Sequence, residues 1–427
     1  MTTSPGGAAA PGSALNQPHR VAVIGAGTVG LATAWFLQER GISVVVHERE
    51  GVAAGASWGN AGWLTPGICT PLPEPAVLRY GLRAVFSPSS PVYVPPSVRS
   101  DFLRFVVGFT RHSTMGAWRR AMGALVPLNR LALDSFDLLE AGGVAARTKP
   151  AESFVAAYRT EKDRETLLAE IRHIHAAGQE IDFEALTGDE ARALEPVLSD
   201  EVGAAIRLRG QRYLAPGDFA QALADAVVAR GGKLDVGPEV TDIVDRDRLI
   251  TVCTTSGEDD YDAVVLATGA WLSRLARPLG MRRVVQAGRG YSFSVPAEQL
   301  PKGPVYLPVA RVACTPLGSR LRVAGMMEFR HPEAPLDPRR IRAIVEAARP
   351  FLRGVDLDDR ADEWVGSRPC TADGLPLIGA TASPRVFVAG GHGMWGITLG
   401  PVTGRLLAEQ IATGVVPKEL LPFRPMR

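Results

Sequence analysis

The chain has 427 residues, 46% apolar and 22% charged, with 47 basic against 45 acidic side chains and a formal net charge of +2. That length fits two domains with a large core, and nothing in the balanced charge asks for nucleic acid as a partner. No apolar run reaches bilayer-spanning length. The four cysteines (Cys69, Cys253, Cys314, Cys370) lack metal or redox spacing, so the expectation is reduced thiols in a cytoplasmic chain with no metal site.

Residues 1–18 are rich in Gly, Ala, Pro and Ser and lack the basic start and apolar stretch of a secretory signal. They read as a disordered leader. Residues 21–24 form a short apolar strand that runs into Gly25-Ala26-Gly27-Thr28-Val29-Gly30. A helix is expected over 31–40, closed by Gly41, and a second strand over 44–46 that ends at His47-Glu48-Arg49. Together these make one βαβ unit. Residues 51–75 form a long loop dense in Gly, Pro and Asn, the kind that carries function. Residues 101–142 read as mostly helical, 151–159 as containing a strand, and helical patterns continue to 194. A helix follows over 218–230, then a buried strand over 264–267, strands over 289–329, a helix over 339–348, a strand over 385–389 and a last helix over 399–412.

The glycine turn lets backbone approach a pyrophosphate. Gly25 permits the strand exit, Gly27 clears the phosphate face, and Gly30 lets helix pack on strand. Glu48 stands where an acid grips ribose hydroxyls and repels a 2′-phosphate. By itself such a turn is weak evidence, but its place between strand and helix points to a dinucleotide. A nicotinamide domain continues through adjacent βα units. Here the second turn, Thr268-Gly269 after the strand at 264–267, comes over two hundred residues later, which favours FAD.

The residues then resemble a known group. Three blocks carry the likeness: residues 57–67 (Ser-Trp-Gly-Asn-Ala-Gly-Trp-Leu-Thr-Pro-Gly), the turn at 267–270 preceded by Tyr213-Leu-Ala-Pro-Gly-Asp218, and residues 364–379 with 390–400 (Gly-Gly-His-Gly-Met-Trp-Gly-Ile-Thr-Leu-Gly). From residue 19 almost to its end the chain resembles the FAD-dependent D-amino-acid oxidase superfamily, and within it the bacterial D-amino-acid dehydrogenase small-subunit type. The resemblance implies an α/β chain (α+β overall): an FAD-binding Rossmann-like domain with a parallel sheet, interleaved with a mostly antiparallel substrate or cap domain. The expected boundaries are 19–95, 200–280 and 361–427 for the first, and 96–199 and 281–360 for the second.

It further implies that Val29 and Arg49 flank the nucleotide, that Asn60, Ala61 and Gly62 approach the isoalloxazine, and that Val240 meets the adenine through its backbone. Gly391, His392, Gly393, Gly396, Ile397 and Thr398 match the flavin-pyrimidine loop, with the last helix starting near Thr398 because Pro401 belongs in a first turn. His392 could instead face solvent. Arg368 would fork onto the substrate carboxylate, against the alternative of a salt bridge to Asp373. Tyr291 is a second candidate contact, or plain core. Cys370 does not match a flavin-linkage position, so the FAD is expected to be non-covalent.

The implied activity is oxidative deamination of a D-amino acid by hydride transfer from Cα–H to flavin N5. An imino acid results and hydrolyses to an oxo acid and ammonia. Alternatives are a glycine, sarcosine or D-hydroxyproline oxidase, a flavin-binding accessory subunit without turnover, and a nicotinamide dehydrogenase. The electron acceptor is quinone or O2. Residues 78–120 mix Phe86, Phe102, Phe105, Phe109 and Trp118 with Arg79, Arg83, Arg104, Arg111, Arg119 and Arg120. This pattern suits either peripheral contact with the inner face of the cell membrane or ordinary amphipathic helices over a core.

Overall fold

A computed structural model describes residues 17–75, 92–94 and 99–427. The expected leader, save Gln17 and Pro18, and the part of the basic–aromatic stretch holding Arg79, Arg83 and Phe86 lie outside the described residues. The chain opens with β1 (Arg20–Ile24), α1 (Thr28–Gln38), β2 (Ser43–Glu48), β3 (Trp63–Leu64) and β4 (Val92–Tyr93). There follow α2 (Ser100–His112), α3 (Met115–Ala141), β5 (Lys149–Pro150), β6 (Phe154–Tyr158), α4 (Glu161–Ala176), β7 (Phe183–Thr187) and α5 (Gly188–Leu194). The middle holds β8 (Ala204–Leu208), β9 (Arg212–Tyr213), α6 (Pro216–Ala229), β10 (Lys233–Val236), β11 (Val240–Asp245), β12 (Ile250–Thr254), β13 (Gly257–Tyr261), β14 (Ala263–Leu266) and α7 (Leu272–Ala276). The last third holds β15 (Val285–Val295), β16 (Val305–Leu307), β17 (Val312–Leu317), β18 (Arg320–Phe329), α8 (Pro338–Ala348), β19 (Ala361–Thr371), β20 (Leu377–Ala380), β21 (Val386–Gly390) and α9 (Gly396–Thr413).

The first sheet runs β10-β2-β1-β14-β21-β20, parallel except for β20. Its strands read as unbroken apolar runs because both faces are covered. One face packs Val21, Val23, Val44 and Val46 against α1, α6 and α9. The other packs Ala22, Ile24, Val264 and Leu266 against the antiparallel sheet β11-β12-β13. Val21 registers with Ala263, so the strand two hundred residues on is β1's direct neighbour.

The second sheet runs β19-β15-β18-β17-β16-β6-β8-β7, with β4 added beside β18. It is antiparallel apart from the β16–β6 and β18–β4 pairs. Helix α8 covers one part through Ile341, Ile344 and Val345, and α4 covers another through Leu167, Ile171 and Ile174.

Pairing and packing move four expected boundaries. β4, β8 and β19 belong to the second sheet, although residues 19–95, 200–280 and 361–427 were expected in the first domain. The far half of α3 packs Leu128, Ala132 and Phe136 into the first domain's core, although residues 96–199 were expected in the cap. Strand β7 also interrupts the helical pattern expected up to Leu194. In each case a tertiary partner, absent from local sequence, decides the assignment.

Candidate cofactor and substrate site

One cleft runs from the carboxyl ends of β1 and β14 to the face of the second sheet. Gly25, Gly27 and Val29 line its start. Gly25 has φ +111°, and a Cβ there would lie 2.7 Å from the Ala267 carbonyl oxygen. At Gly30 a Cβ would lie 2.0 Å from the Gly25 oxygen, so this glycine packs the turn rather than facing the cleft. The N-cap Gly27 has no side chain to cap α1 and no acid sits in its first turn. Among the described residues only the Thr28 amide has a side-chain partner, Ser57, which leaves the Val29 and Gly30 N–H groups and the partial positive charge for an anion.

Glu48 lines the cleft at the end of β2. Its Oε2 accepts from the Ala26 amide at 2.9 Å and its Oε1 from the Glu50 amide at 3.0 Å. Each oxygen keeps a lone pair for a ribose hydroxyl. Arg49 also lines the cleft, lying 4.6 Å over the Trp271 ring and 3.4 Å from Glu239. Val240 and the Thr268-Gly269 turn close this end. The Thr268 hydroxyl is buried there with no hydrogen-bond partner among the described residues.

The sequence reading missed Ser57. Its Oγ accepts from the Thr28 amide at 3.2 Å, which brings residues 51–60 over the glycine turn. A serine among Gly and Ala carries no signal of its own. Trp271, Arg274, Ser367 and Met394 also line the cleft unforeseen.

Of the Asn60-Ala61-Gly62 segment, Asn60 lines the cleft, its Oδ1 accepting from the Gly62 amide at 2.9 Å. Ala61 and Gly62 stand behind it and tie the loop down: the Ala61 carbonyl accepts from Thr315 Oγ1 at 2.7 Å, and the Gly62 carbonyl from the Leu214 amide at 2.9 Å.

At the far end, His392, Gly393, Gly396 and Ile397 line the cleft, while Gly391 and Thr398 sit just behind. Thr398 Oγ1 donates to the Trp63 carbonyl at 3.0 Å. Helix α9 begins at Gly396, two residues before the expected start, so Pro401 lies inside it and leaves the Ile397 carbonyl without its helical donor. No side chain caps this helix either, and its N-terminus faces the same cleft as that of α1. His392 does not face solvent: it is 4% exposed, with Nε2 2.9 Å from Thr403 Oγ1. Burial takes its pKa down to about 4, so the ring is neutral at pH 7.

Arg368 faces the cleft from β19. Its guanidinium lies against Gly290, and Nη1 donates to the Met326 carbonyl at 2.7 Å. No carboxylate among the described residues pairs with it, and burial lowers its pKa from the ordinary guanidinium value. The alternative partner Asp373 is taken by Arg427 at 3.0 Å. Tyr291 requires a correction. It is fully buried on the face of β15 turned away from the cleft, and its hydroxyl donates to Glu328 Oε2 at 2.7 Å. Side chains alternate along a strand, so Gly290 faces Arg368 while Tyr291 faces α8. Cys370 lies behind the lining, 1% exposed, its thiol pushed up to about 12 by burial.

In α2 and α3, Phe102, Phe105 and Trp118 are buried, while Arg104, Arg111, Arg119 and Arg120 are exposed. Both helices cover a core with these aromatic residues, and Leu103 and Val107 stay half exposed. Among the described residues no helix is long and apolar enough to cross a membrane.

The residues present fit FAD: two helix N-termini with free N–H groups, a carboxylate with free lone pairs and, among the described residues, a threonine hydroxyl without a partner and an arginine without an acid converge on one elongated cleft. Fold and site together define a flavin-dependent oxidoreductase. The chain belongs to the DAO family of FAD dependent oxidoreductases, whose model matches residues 20–410. A D-amino acid dehydrogenase of Cereibacter sphaeroides is 32% identical over 400 residues, covering 92% of this chain and 91% of that one. Another, of Rhizorhabdus wittichii, is 30% identical over 401 residues, covering 92% and 96%.

Among solved structures, glycine oxidase from Geobacillus kaustophilus matches with a TM-score of 0.72 at 25% identity, over 96% of this chain and 99% of that one. FAD-bound L-α-glycerophosphate oxidase from Mycoplasma pneumoniae shares the fold, with a TM-score of 0.72 at 18% identity over 92% and 94%. With the family established, the nicotinamide alternative falls.

Proposed function

We propose that the protein oxidises a D-amino acid, or a closely related amine acid, at its Cα–N bond and passes the electrons to quinone or O2. The observation that carries this reading is Arg368, a cleft-facing guanidinium with no acidic partner among the described residues. Nη1 is held by the Met326 carbonyl, and among the described residues Nε and Nη2 have no partner, leaving a fork for a substrate carboxylate. The names of the relatives at 30–32% identity point to the same substrate class.

In this reading Gly25, Gly27 and the α1 N-terminus hold the pyrophosphate, Glu48 the ribose, and Val29, Arg49, Val240, Thr268 and Gly269 the rest of the nucleotide. Asn60 and residues 391–398 hold the flavin end. When bound, FAD supplies the two-electron acceptor for the Cα–H bond. Arg368 fixes the angle of the substrate about that bond. The amide groups at the start of α9 favour negative charge nearby. His392, neutral and tied to Thr403, shapes the loop rather than moving a proton. Water hydrolyses the imino acid product to an oxo acid and ammonia.

The test is anaerobic addition of D-amino acids, glycine, sarcosine and D-hydroxyproline to the yellow holoprotein, followed by air or a quinone analogue. Bleaching by D-amino acids is expected, and peroxide formation on admitting air identifies O2 as acceptor. Arg368→Gln should lower kcat/KM about a hundredfold or more. Colour that persists across the whole panel would instead favour an accessory subunit.

A further inference from the structure

The arrangement that holds Arg368 is built into the strand pairing. Along β15 and β18, Arg289 registers with Glu328, yet the next pair is Tyr291 with Gly325. Two residues, Met326 and Met327, therefore oppose the single Gly290, which is a β-bulge. Its first residue adopts the left-handed backbone, with Met326 at φ +67°. Glycine ordinarily holds that position, because a Cβ crowds the following carbonyl there.

What the strained residue delivers is visible at its carbonyl, which is turned out of the ladder to accept from Arg368 Nη1 at 2.7 Å. Met327 follows with its Sδ 4.0 Å from the same nitrogen. Opposite the bulge, a Cβ on Gly290 would lie 2.1 to 2.6 Å from Nη2, Cζ and Nη1 of Arg368. The glycine is the floor on which the guanidinium lies flat. Behind the bulge, Glu328 is fully buried and accepts from Tyr291 at 2.7 Å and from Arg289 at 3.3 Å, with Arg340 Nε 3.5 Å away. These bonds pin the residue that follows the bulge from the face opposite the cleft.

The geometry points to Gly290, Met326 and Tyr291 as positioning residues for the carboxylate-binding arginine. The bulge fixes one edge of the guanidinium and leaves the other open at a set angle, and the buried Glu328 cluster keeps the bulge in register. This rests on the role proposed for Arg368 above. A regular strand would direct the carbonyl into the ladder and free the guanidinium to swing.

The probe is benzoate, a carboxylate without an α-amino group, titrated into FAD holoenzyme and read from the flavin absorbance. Gly290→Ala and Met326→Val, the latter β-branched and ill-suited to positive φ, should each weaken benzoate about tenfold or more. Their flavin content should stay that of the wild type. Met326→Gly, which keeps the carbonyl and accepts the backbone freely, should bind more tightly than Met326→Val. Oxidation of an amine lacking the carboxylate should change less than oxidation of the amino acid. If Gly290→Ala fails to retain flavin, Tyr291→Phe carries the same readout, and wild-type affinity there overturns the proposal. Unchanged benzoate affinity in Arg368→Met removes the arginine reading itself. Lost affinity in Arg368→Met beside unchanged affinity in Gly290→Ala and Met326→Val overturns this proposal alone.

Discussion

His392 sits between β21 and α9 with its Nδ1 buried and without a partner among the described residues. Burial alone takes its pKa from 6.5 to about 4. In the unfolded chain the ring titrates near 6.5, so as pH falls the unfolded state takes up the proton first. Stability from this residue is therefore complete above about pH 6.5 and declines toward pH 4, by up to about 3 kcal/mol. His47 acts in the same direction, since burial outweighs Asp235 beside it. Urea denaturation at pH 7.5 and pH 5 should show the loss, and His392→Asn should flatten part of it. An identical pH dependence in the variant would refute the assignment. The histidine was legible in the glycine-rich run, but its burial was not, because Thr403 reaches it only once α9 folds back.

Among the elements, α1 and α9 determine the cleft. They pack so closely that a Cβ at Gly404 would lie 2.6 Å from the Thr33 nitrogen and 2.7 Å from the Ala32 carbonyl carbon. These are backbone atoms and cannot swing aside. Gly404→Val should force the helices apart, cost roughly 1–3 kcal/mol or more, and reduce flavin retention because both N-termini face one cofactor cleft. The bound FAD per chain after gel filtration measures this, and full retention would sink the idea. Helix α9 starts two residues before the expected Thr398, because Pro401 does not stand in its first turn. The helix keeps the proline further in, at a buried position.

At the scale of the molecule, α3 joins the two cores. It has 27 residues, about 40 Å at 1.5 Å per residue. Trp118, Met122 and Val126 enter the cap's core, and Leu128, Ala132 and Phe136 enter that of the nucleotide domain. With this helix shared and the chain crossing repeatedly between sheets, the holoprotein should unfold in one calorimetric transition. Phe136→Ala, at a fully buried position, should lower stability by about 3–5 kcal/mol. Two separated transitions in the wild type would show that the domains are energetically independent.

The sequence by itself determined the cofactor end of this protein. Gly25, Gly27, Gly30 and Glu48 act within one βαβ unit, where spacing along the chain is spacing in space. That Arg368 belongs to the cleft was legible for a related reason, because it is embedded in a run of specific neighbours. Only the tertiary structure decided that Tyr291 turns from the cleft, that Ser57 closes over α1, and that β8 and β19 join the cap sheet. Each depends on a partner far along the chain: Glu328 lies 37 residues from Tyr291, and Gly288 of β15 pairs with Arg368 of β19. Register and face are properties of paired strands, so a single strand's sequence does not hold them.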